Sequence, residues 1–170
     1  AFADPLKESL KDLLLWDDNI FSRERKETID EYWGVSPRQM CQILGTDVIR
    51  NSISDKFKRT IKIGDSEYTV SFWIKRIHKE IQELFNNPDC PYDYIIFTDV
   101  RFFDELSYVK NLGGEIYKII RPDIKMNEYS NHEAERGIDG EEFNKCVDTI
   151  ITNNGTLEEF YNTIKISFKQ

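Results

Sequence analysis

The sequence predicts a single three-layer α/β domain with a mostly parallel sheet. The first observation is the short apolar run Tyr94–Phe97, which has the pattern of a strand buried on both faces of a parallel sheet. A helical pattern follows it at once, and a second apolar run occupies Ile116–Ile120. Strand, helix and strand in this order form a βαβ unit, whose right-handed crossover makes the two strands parallel.

Composition narrows the class of protein. A chain of 170 residues suits one domain, and hydrophobic and aromatic contents of 39% and 13% speak against disorder. The formal net charge of −8 speaks against a nucleic-acid polymer as partner. A small phosphorylated ligand stays compatible, because converging arginines and Mg²⁺ reverse the local field. The three cysteines (Cys41, Cys90 and Cys146) are odd in number and widely spaced, which favours a reduced, cytoplasmic protein. We expect no membrane span and no zinc site.

The N-terminal half predicts two helices, a hairpin and a third helix. A leucine stripe marks the first helix: Leu6, Leu10, Leu13 and Leu14. Ser36 is a natural N-cap before Pro37, and Gly45 interrupts the helix that follows. Thr60–Val70 reads as a hairpin around Gly64-Asp65-Ser66. The next helix runs from about Phe72 to Phe85, and its expected buried side carries Trp73, Ile77, Ile81 and Leu84 or Phe85.

The C-terminal half repeats the alternation of helix and strand. An amphipathic helix carries Phe103, Leu106, Val109 and Leu112 before Gly113-Gly114. Asp123–Gly140 is polar, as a lid would be, and Val147–Ile151 is the last predicted strand. Thr156 and Glu159 form a capping box ahead of a helix with Phe160, Ile164 and Phe168.

Charged residues directly follow the predicted strand Tyr94–Phe97. Asp99 and Arg101 would lie in the crevice where open α/β sheets bind ligands, and Glu105 follows one helical turn later. The planar fork of an arginine grips phosphate oxygens bidentately. A structural salt bridge of Arg101 with Asp99 or Glu105 is the alternative.

Several motifs occur in a recognisable order. They are FADPLK at Phe2–Lys7, SPRQMCQILGTDVIR at Ser36–Arg50, Asp99-Val100-Arg101, Arg121-Pro122, HEAE at His132–Glu135 and TNNGTLEE at Thr152–Glu159. Together they resemble the deoxynucleoside monophosphate kinases of large DNA viruses and phages, a branch of the P-loop kinases. The resemblance spans nearly the whole chain except Lys56–Val70, and the predicted hairpin is an elaboration where relatives run more directly into the next helix.

The resemblance implies transfer of the γ-phosphoryl group of ATP, with Mg²⁺, to a nucleoside 5′-monophosphate. It puts three residues at the monophosphate (Arg38, Gly45 and Thr46) and Trp73 at the nucleotide pocket, within a monophosphate-binding region of about residues 17–90. From the residues alone, Gly45 is a helix stop, Arg38 a surface charge and Trp73 a core residue.

The resemblance also implies a catalytic pair. Arg101 contacts the substrate phosphate or base, and Asp99 has a place like that of a Walker B acid, near Mg²⁺ directly or through water. Glu105 either accepts a hydrogen bond from the base or anchors Arg101. Arg136, in the lid at about residues 123–140, approaches the donor phosphates, unless it belongs to a solvated helix face. Lys7 is a weaker phosphate candidate.

A P-loop motif is missing from the printed sequence. None of the eight glycines is followed by lysine, whereas the loop needs Gly-Lys-Ser/Thr. The resemblance puts this loop just upstream of FADPLK, so we expect an N-terminal strand, P-loop and helix of roughly 20–30 residues outside the chain, and no activity from the chain alone.

Two alternatives to this kinase remain. One is a non-enzymatic descendant that binds nucleotide or a protein, and the other is a P-loop kinase of another small phosphorylated acceptor such as phosphomevalonate. The accepted base and sugar, and a homodimer, stay open. If the protein is viral, we expect it in the host cytoplasm.

Overall fold

The structure is a computed structural model that describes residues 4–53, 56–57, 59–122 and 140–167. The chain divides into two compact units, residues 1–100 and 101–170, and each is described by itself. The first unit contains helix α1 (Asp4–Leu14), helix α2 (Pro37–Gln42), a π-helix (Ile43–Ser52), strands β1 (Thr60–Ile63) and β2 (Ser66–Thr69), and helix α3 (Phe72–Phe85). The second contains α4 (Phe103–Asn111), β3 (Tyr117–Ile120), α5 (Glu141–Lys145), β4 (Thr149–Thr152) and α6 (Leu157–Ser167).

The core of the first unit is built on α1. Its buried residues are four apart, at Leu6, Leu10 and Leu14, and they cluster with Trp73 of α3. Leu13 is 66% exposed, so the prediction that it belongs to the buried stripe is wrong. The core covers only the line of residues four apart along α1, and Leu13 lies beside that line.

Helix α2 has Ser36 as its N-cap and Pro37 at its start, as predicted, and a capping box joins Ser36 to Gln39. The Ser36 hydroxyl accepts from Gln39 N at 3.2 Å, and Gln39 Oε1 accepts from Ser36 N at 2.9 Å. The predicted interruption at Gly45 is wrong, because the helix continues through this residue in the wider π form. Such widened turns are frequent at functional sites.

The hairpin and α3 match the prediction. β1 and β2 pair antiparallel with Ile63 opposite Ser66, and Gly64 adopts the positive φ of 57° that the turn requires. Helix α3 spans Phe72–Phe85, but its fully buried residues are Trp73, Ile74 and His78. The predicted Ile77 and Ile81 are only half-buried. The prediction considered only apolar residues and therefore left out His78. The buried side of α3 lies one position further along the helix than expected.

The second unit pairs two strands in parallel. β3 and β4 run from the pair Tyr117–Thr149 to the pair Ile120–Thr152, so both predicted C-terminal strands exist within two residues of their expected bounds. Helix α4 buries Leu106 and Val109, whereas Phe103 and Leu112 are 47% and 41% exposed.

The predicted capping box precedes α6. Glu159 Oε2 accepts from Thr156 N at 2.7 Å, and Thr156 Oγ1 accepts from Glu159 N at 3.3 Å. Phe160 and Ile164 are half-buried. Phe168, and the predicted lid up to residue 139, lie outside the described residues.

The strand predicted at Tyr94–Phe97 is not formed. This segment is irregular, and Tyr94 and Ile96 are 86% and 78% exposed. Each sheet among the described residues has only two strands. An apolar run becomes a buried strand only when strands pair with it on either side and helices cover it. The structure therefore shows a mixed α/β protein with small sheets. No helix in the described parts of the chain is long and apolar enough to cross a bilayer.

Candidate functional site

Two predicted site residues contact each other directly in the first unit. The indole Nε1 of Trp73 donates a hydrogen bond to the carbonyl oxygen of Gly45 at 2.9 Å. Both residues are buried, as is Thr46. The bond joins α3 to the π-helix at the Gly45-Thr46 pair. Trp73 therefore packs in the core and also holds the main chain at Gly45 in position.

Gly45 also faces α1. A Cβ atom at this position would lie 2.6 Å from Leu6 Cδ2, far inside van der Waals contact. The absence of a side chain therefore permits the π-helix to approach α1 closely, within FADPLK, the first motif of the resemblance. This packing against α1 accounts for the glycine without any ligand. The sequence had suggested instead that a ligand closely approaches the backbone at this position.

Arg38 is held in place by a carboxylate that the sequence did not single out. Its Nε donates to Glu27 Oε1 at 2.8 Å, and both side chains are partly buried. The main-chain N–H of Arg38 donates to Lys26 O at 3.0 Å. Glu27 lies in a stretch rich in both charges, with no spacing signal toward Arg38. An orientation fixed through Nε suits a guanidinium that binds phosphate.

Positive charge gathers near Cys41 in the same region. Burial raises the pKa of the Cys41 thiol to about 11, while the charges of Lys7 and Arg38 act in the opposite direction. The thiol therefore stays protonated at neutral pH and is a poor nucleophile. Lys7 is half-exposed, and its Nζ lies 3.8 Å from Asp4 Oδ1.

Glu105 is the buried acid of the second unit. It is 3% exposed, and its Oε2 accepts from the main-chain nitrogens of Arg101 at 3.0 Å and Phe102 at 3.2 Å. Glu105 thus anchors Arg101, the second of the two predicted alternatives, although it does so through the backbone. Arg101 is half-buried and Asp99 is exposed. They follow an irregular segment and not the expected strand.

The structure thus places the predicted residues in two groups. Arg38, Gly45, Thr46 and Trp73 belong to the first unit, where Gly45 and Trp73 are in contact, and Arg101 is bonded to Glu105 in the second. Asp99 is the second-to-last residue of the first unit in the sequence. Arg136, like His132 and Glu135 of the predicted lid, lies outside the described residues.

The acidic and metal-binding side chains form no cluster of three or more in the parts of the chain that the structure describes. Asp99 offers one exposed carboxylate. Mg²⁺ in phosphoryl-transfer sites is bound by one or two carboxylates, with substrate phosphates and water completing its shell. A single acid of this kind fits such an ion.

The chain matches a known family of enzymes. The matching model is that of a nucleotide phosphotransferase, deoxynucleotide monophosphate kinase, and it matches residues 7–164. The chain belongs to the deoxynucleotide monophosphate kinase family, which confirms the resemblance seen in its motifs.

Viral relatives agree with this assignment. The chain is 35% identical over 168 residues to an Acanthamoeba polyphaga mimivirus protein provisionally named deoxynucleotide monophosphate kinase, covering 96% of this chain and 79% of that protein. It is 31% identical to the deoxynucleotide monophosphate kinase of Enterobacteria phage T4, covering 83% and 48%. For the same enzyme of Escherichia phage RB69 the values are 27%, 84% and 48%. The chain thus spans about half the length of the two phage relatives.

Proposed function

We propose that the complete protein transfers the γ-phosphoryl group of ATP to a deoxynucleoside 5′-monophosphate. The family match over residues 7–164 carries this proposal, and the names of the two phage relatives support it. The complete enzyme then has the three-layer frame with a mostly parallel sheet, a monophosphate-binding region at about residues 17–90 and a lid at about 123–140. Its place of action is the cytoplasm.

The acceptor monophosphate binds near Arg38 and the Gly45-Thr46 pair. The ion pair with Glu27 orients the guanidinium of Arg38, and the Trp73 bond fixes the backbone carbonyl of Gly45. Groups held in advance lose little freedom when a ligand arrives. Through this bond Trp73 contributes to the shape of the monophosphate pocket.

Arg101 supplies positive charge to the transferred phosphoryl group, whose transition state is stabilised mainly by positioning and electrostatics. Glu105 is the positioning residue, because its carboxylate holds the main-chain N–H of Arg101. Arg136 approaches the donor phosphates when the lid closes.

Mg²⁺ and ATP complete the site. When bound, Mg²⁺ would neutralise negative charge on the phosphate groups, and Asp99 would hold it directly or through water.

A coupled kinase assay on the complete natural gene product, with Mg²⁺·ATP and each natural deoxynucleoside monophosphate, tests the proposal. We expect turnover of at least one of them. Monophosphate binding without turnover would favour the non-enzymatic descendant. Turnover of phosphomevalonate, with all the monophosphates inert, would favour another acceptor.

Arg101→Lys isolates the guanidinium, because the bond from Arg101 N to Glu105 does not use the side chain. The variant keeps one positive charge and loses the bidentate fork. We expect monophosphate binding or turnover to fall by about one to two orders of magnitude, with little change in thermal unfolding. Arg23→Lys, at an exposed arginine of the first unit, is the matched control. Unfolding of Arg101→Lys with normal ligand binding by the remaining folded protein would make Arg101 purely structural.

A further inference from the structure

A cavity lies on the hairpin side of α3. It has a volume of about 590 Å³ and is lined by the segment before β1, by β1 itself and by α3. This volume is typical of sites for small molecules. None of the predicted kinase-site residues that the structure describes lines it. The cavity exists because the hairpin, the elaboration noted in the sequence, packs beside the helix.

The lining is strongly basic in a protein whose net charge is −8. Among the described residues the lining includes no acidic residue and five cationic ones, which are Arg59, Lys62, Lys75, Arg76 and Lys79. Cations from two separate elements therefore border one cavity. This is the local field that holds phosphate groups.

Two of these cations have carboxylate neighbours on α3. Arg76 pairs with Glu80 at 2.7 Å and Lys79 with Glu83 at 3.6 Å, each one helical turn along. All four side chains are more than a third exposed, and exposed pairs of this kind are weak. A ligand with several negative charges can replace such partners.

Aromatic surface lies beside the cations. Phe57 and Phe72 line the cavity, with ring centroids 5.4 Å apart and ring planes inclined at 54°. Phe57 is 48% exposed, so part of its surface is accessible to a ligand. Base–aromatic stacking accepts any base. The buried Ile61 and His78 also line the cavity, as do Thr60 and Gln82.

We propose that this cavity binds a nucleoside polyphosphate, with the base against Phe57 and the phosphates among the cations of β1 and α3. A phosphate chain alone would leave the phenyl ring unused, and a nucleoside alone would leave the cations unused. The site is separate from the candidate acceptor site and does not depend on kinase turnover. A nucleotide bound here would contact both the hairpin and α3.

Isothermal titration of the 170-residue chain, without Mg²⁺, tests the proposal. The probes are deoxyadenosine triphosphate, inorganic triphosphate and deoxyadenosine. We expect the nucleotide to bind more tightly than either fragment. In the double variant Lys75→Gln/Lys79→Gln its affinity should fall roughly tenfold or more, since charge-assisted bonds are lost. Lys62→Gln and Phe57→Ala test the strand and the ring in the same way.

Two controls separate this site from the kinase site. The double variant Lys145→Gln/Lys165→Gln removes the same charge from the second unit, including a lysine with a similar one-turn pair to Glu141, and should bind normally. Arg38→Gln alters the candidate acceptor site and should also bind normally. The proposal is overturned if the pocket variants, shown to be folded by circular dichroism, bind like the wild type. It is equally overturned if Arg38→Gln abolishes binding or if inorganic triphosphate binds as tightly as the nucleotide.

Discussion

At the scale of single residues, the position of Gly45 has no room for a side chain because Leu6 packs against it. A Cβ atom there would meet Leu6 Cδ2 at 2.6 Å, so Gly45→Ala must displace α1 or the π-helix. Overpacking of this kind typically costs about 1–3 kcal/mol. We expect urea unfolding of Gly45→Ala to give a free energy of unfolding lower by that amount.

Leu6→Ala supplies the control for this clash. It removes the atom that the new Cβ would meet, so the double variant Gly45→Ala/Leu6→Ala should be more stable than the sum of the single changes predicts. Strictly additive losses would show that the contact between these two residues is not the cause.

Trp73→Phe removes the donor to Gly45 O while keeping an aromatic ring in the core. Loss of this buried hydrogen bond costs about 0.5–1.5 kcal/mol. Trp33→Phe is the matched control, since Trp33 Nε1 also donates to a main-chain carbonyl, Leu14 O, at 3.1 Å, but this indole is 40% exposed and water can replace it. Thermal unfolding should therefore show the larger loss for Trp73→Phe, and equal losses would contradict a special role of the Gly45 contact.

The sequence pointed to candidate site residues more readily than to the hydrogen bonds that these residues make. The spacing of Arg101 and Glu105 suggested a shared helix face, but Arg101 precedes α4 and meets Glu105 through its main-chain N–H. The spacing could not show that the carboxylate turns to the main-chain N–H groups that open α4. Glu27 was missed because its partner Arg38 is eleven residues away, across a region with no repeating pattern.

At the scale of elements, the hairpin was predictable because its turn is encoded locally. Gly64 has a φ of 57°, a conformation that costs residues with a Cβ roughly 1–2 kcal/mol. Gly64→Ala should lower the free energy of unfolding by about that amount, although no neighbouring atom would meet the new methyl group. Gly64→Asn is the control and should recover part of the loss, because asparagine tolerates this region. Equal losses for both variants would point to a cause other than backbone conformation.

The segment Tyr94–Phe97 illustrates what local pattern leaves undecided. Its apolar run fits a buried strand, yet a strand forms only through hydrogen bonds to partners that are distant in sequence. The helix Phe72–Phe85 needed no such partner for its main chain, since its hydrogen bonds close within the segment, and its bounds were predicted correctly. The π-helix was missed because no apolar period distinguishes a wider turn.

At the scale of the whole molecule, the distribution of charge matters more than its sum. The net charge of −8 spoke against general nucleic-acid binding but revealed nothing of the cations beside the hairpin and α3. They come from two elements that meet only in the folded chain. Lys7 and Arg38 likewise converge on Cys41 only after α1 packs against α2.

The same balance of charge predicts a loss of stability in acid. The Lys110 ammonium, at 2.8 Å, and the Ile116 N–H, at 2.7 Å, hold the pKa of Asp148 below its usual value of 3.8. Hydrogen bonds also lower the pKa values of Asp17, Asp30 and Glu159. A carboxyl group with a lower pKa in the folded state stabilises the fold above its unfolded pKa, and this contribution disappears as pH falls through the folded pKa.

We therefore expect the free energy of unfolding, measured in urea, to change little through these groups between pH 7 and pH 5 and to decrease below about pH 4. Asp148→Asn should be less stable at neutral pH and should show a shallower decrease in acid, because its amide cannot take up the proton. Asp12→Asn, at an exposed aspartate of α1, serves as the control and should follow the wild-type curve. If Asp148→Asn kept the full acid dependence, the bonds of Asp148 to Lys110 and Ile116 would not be a source of pH-dependent stability.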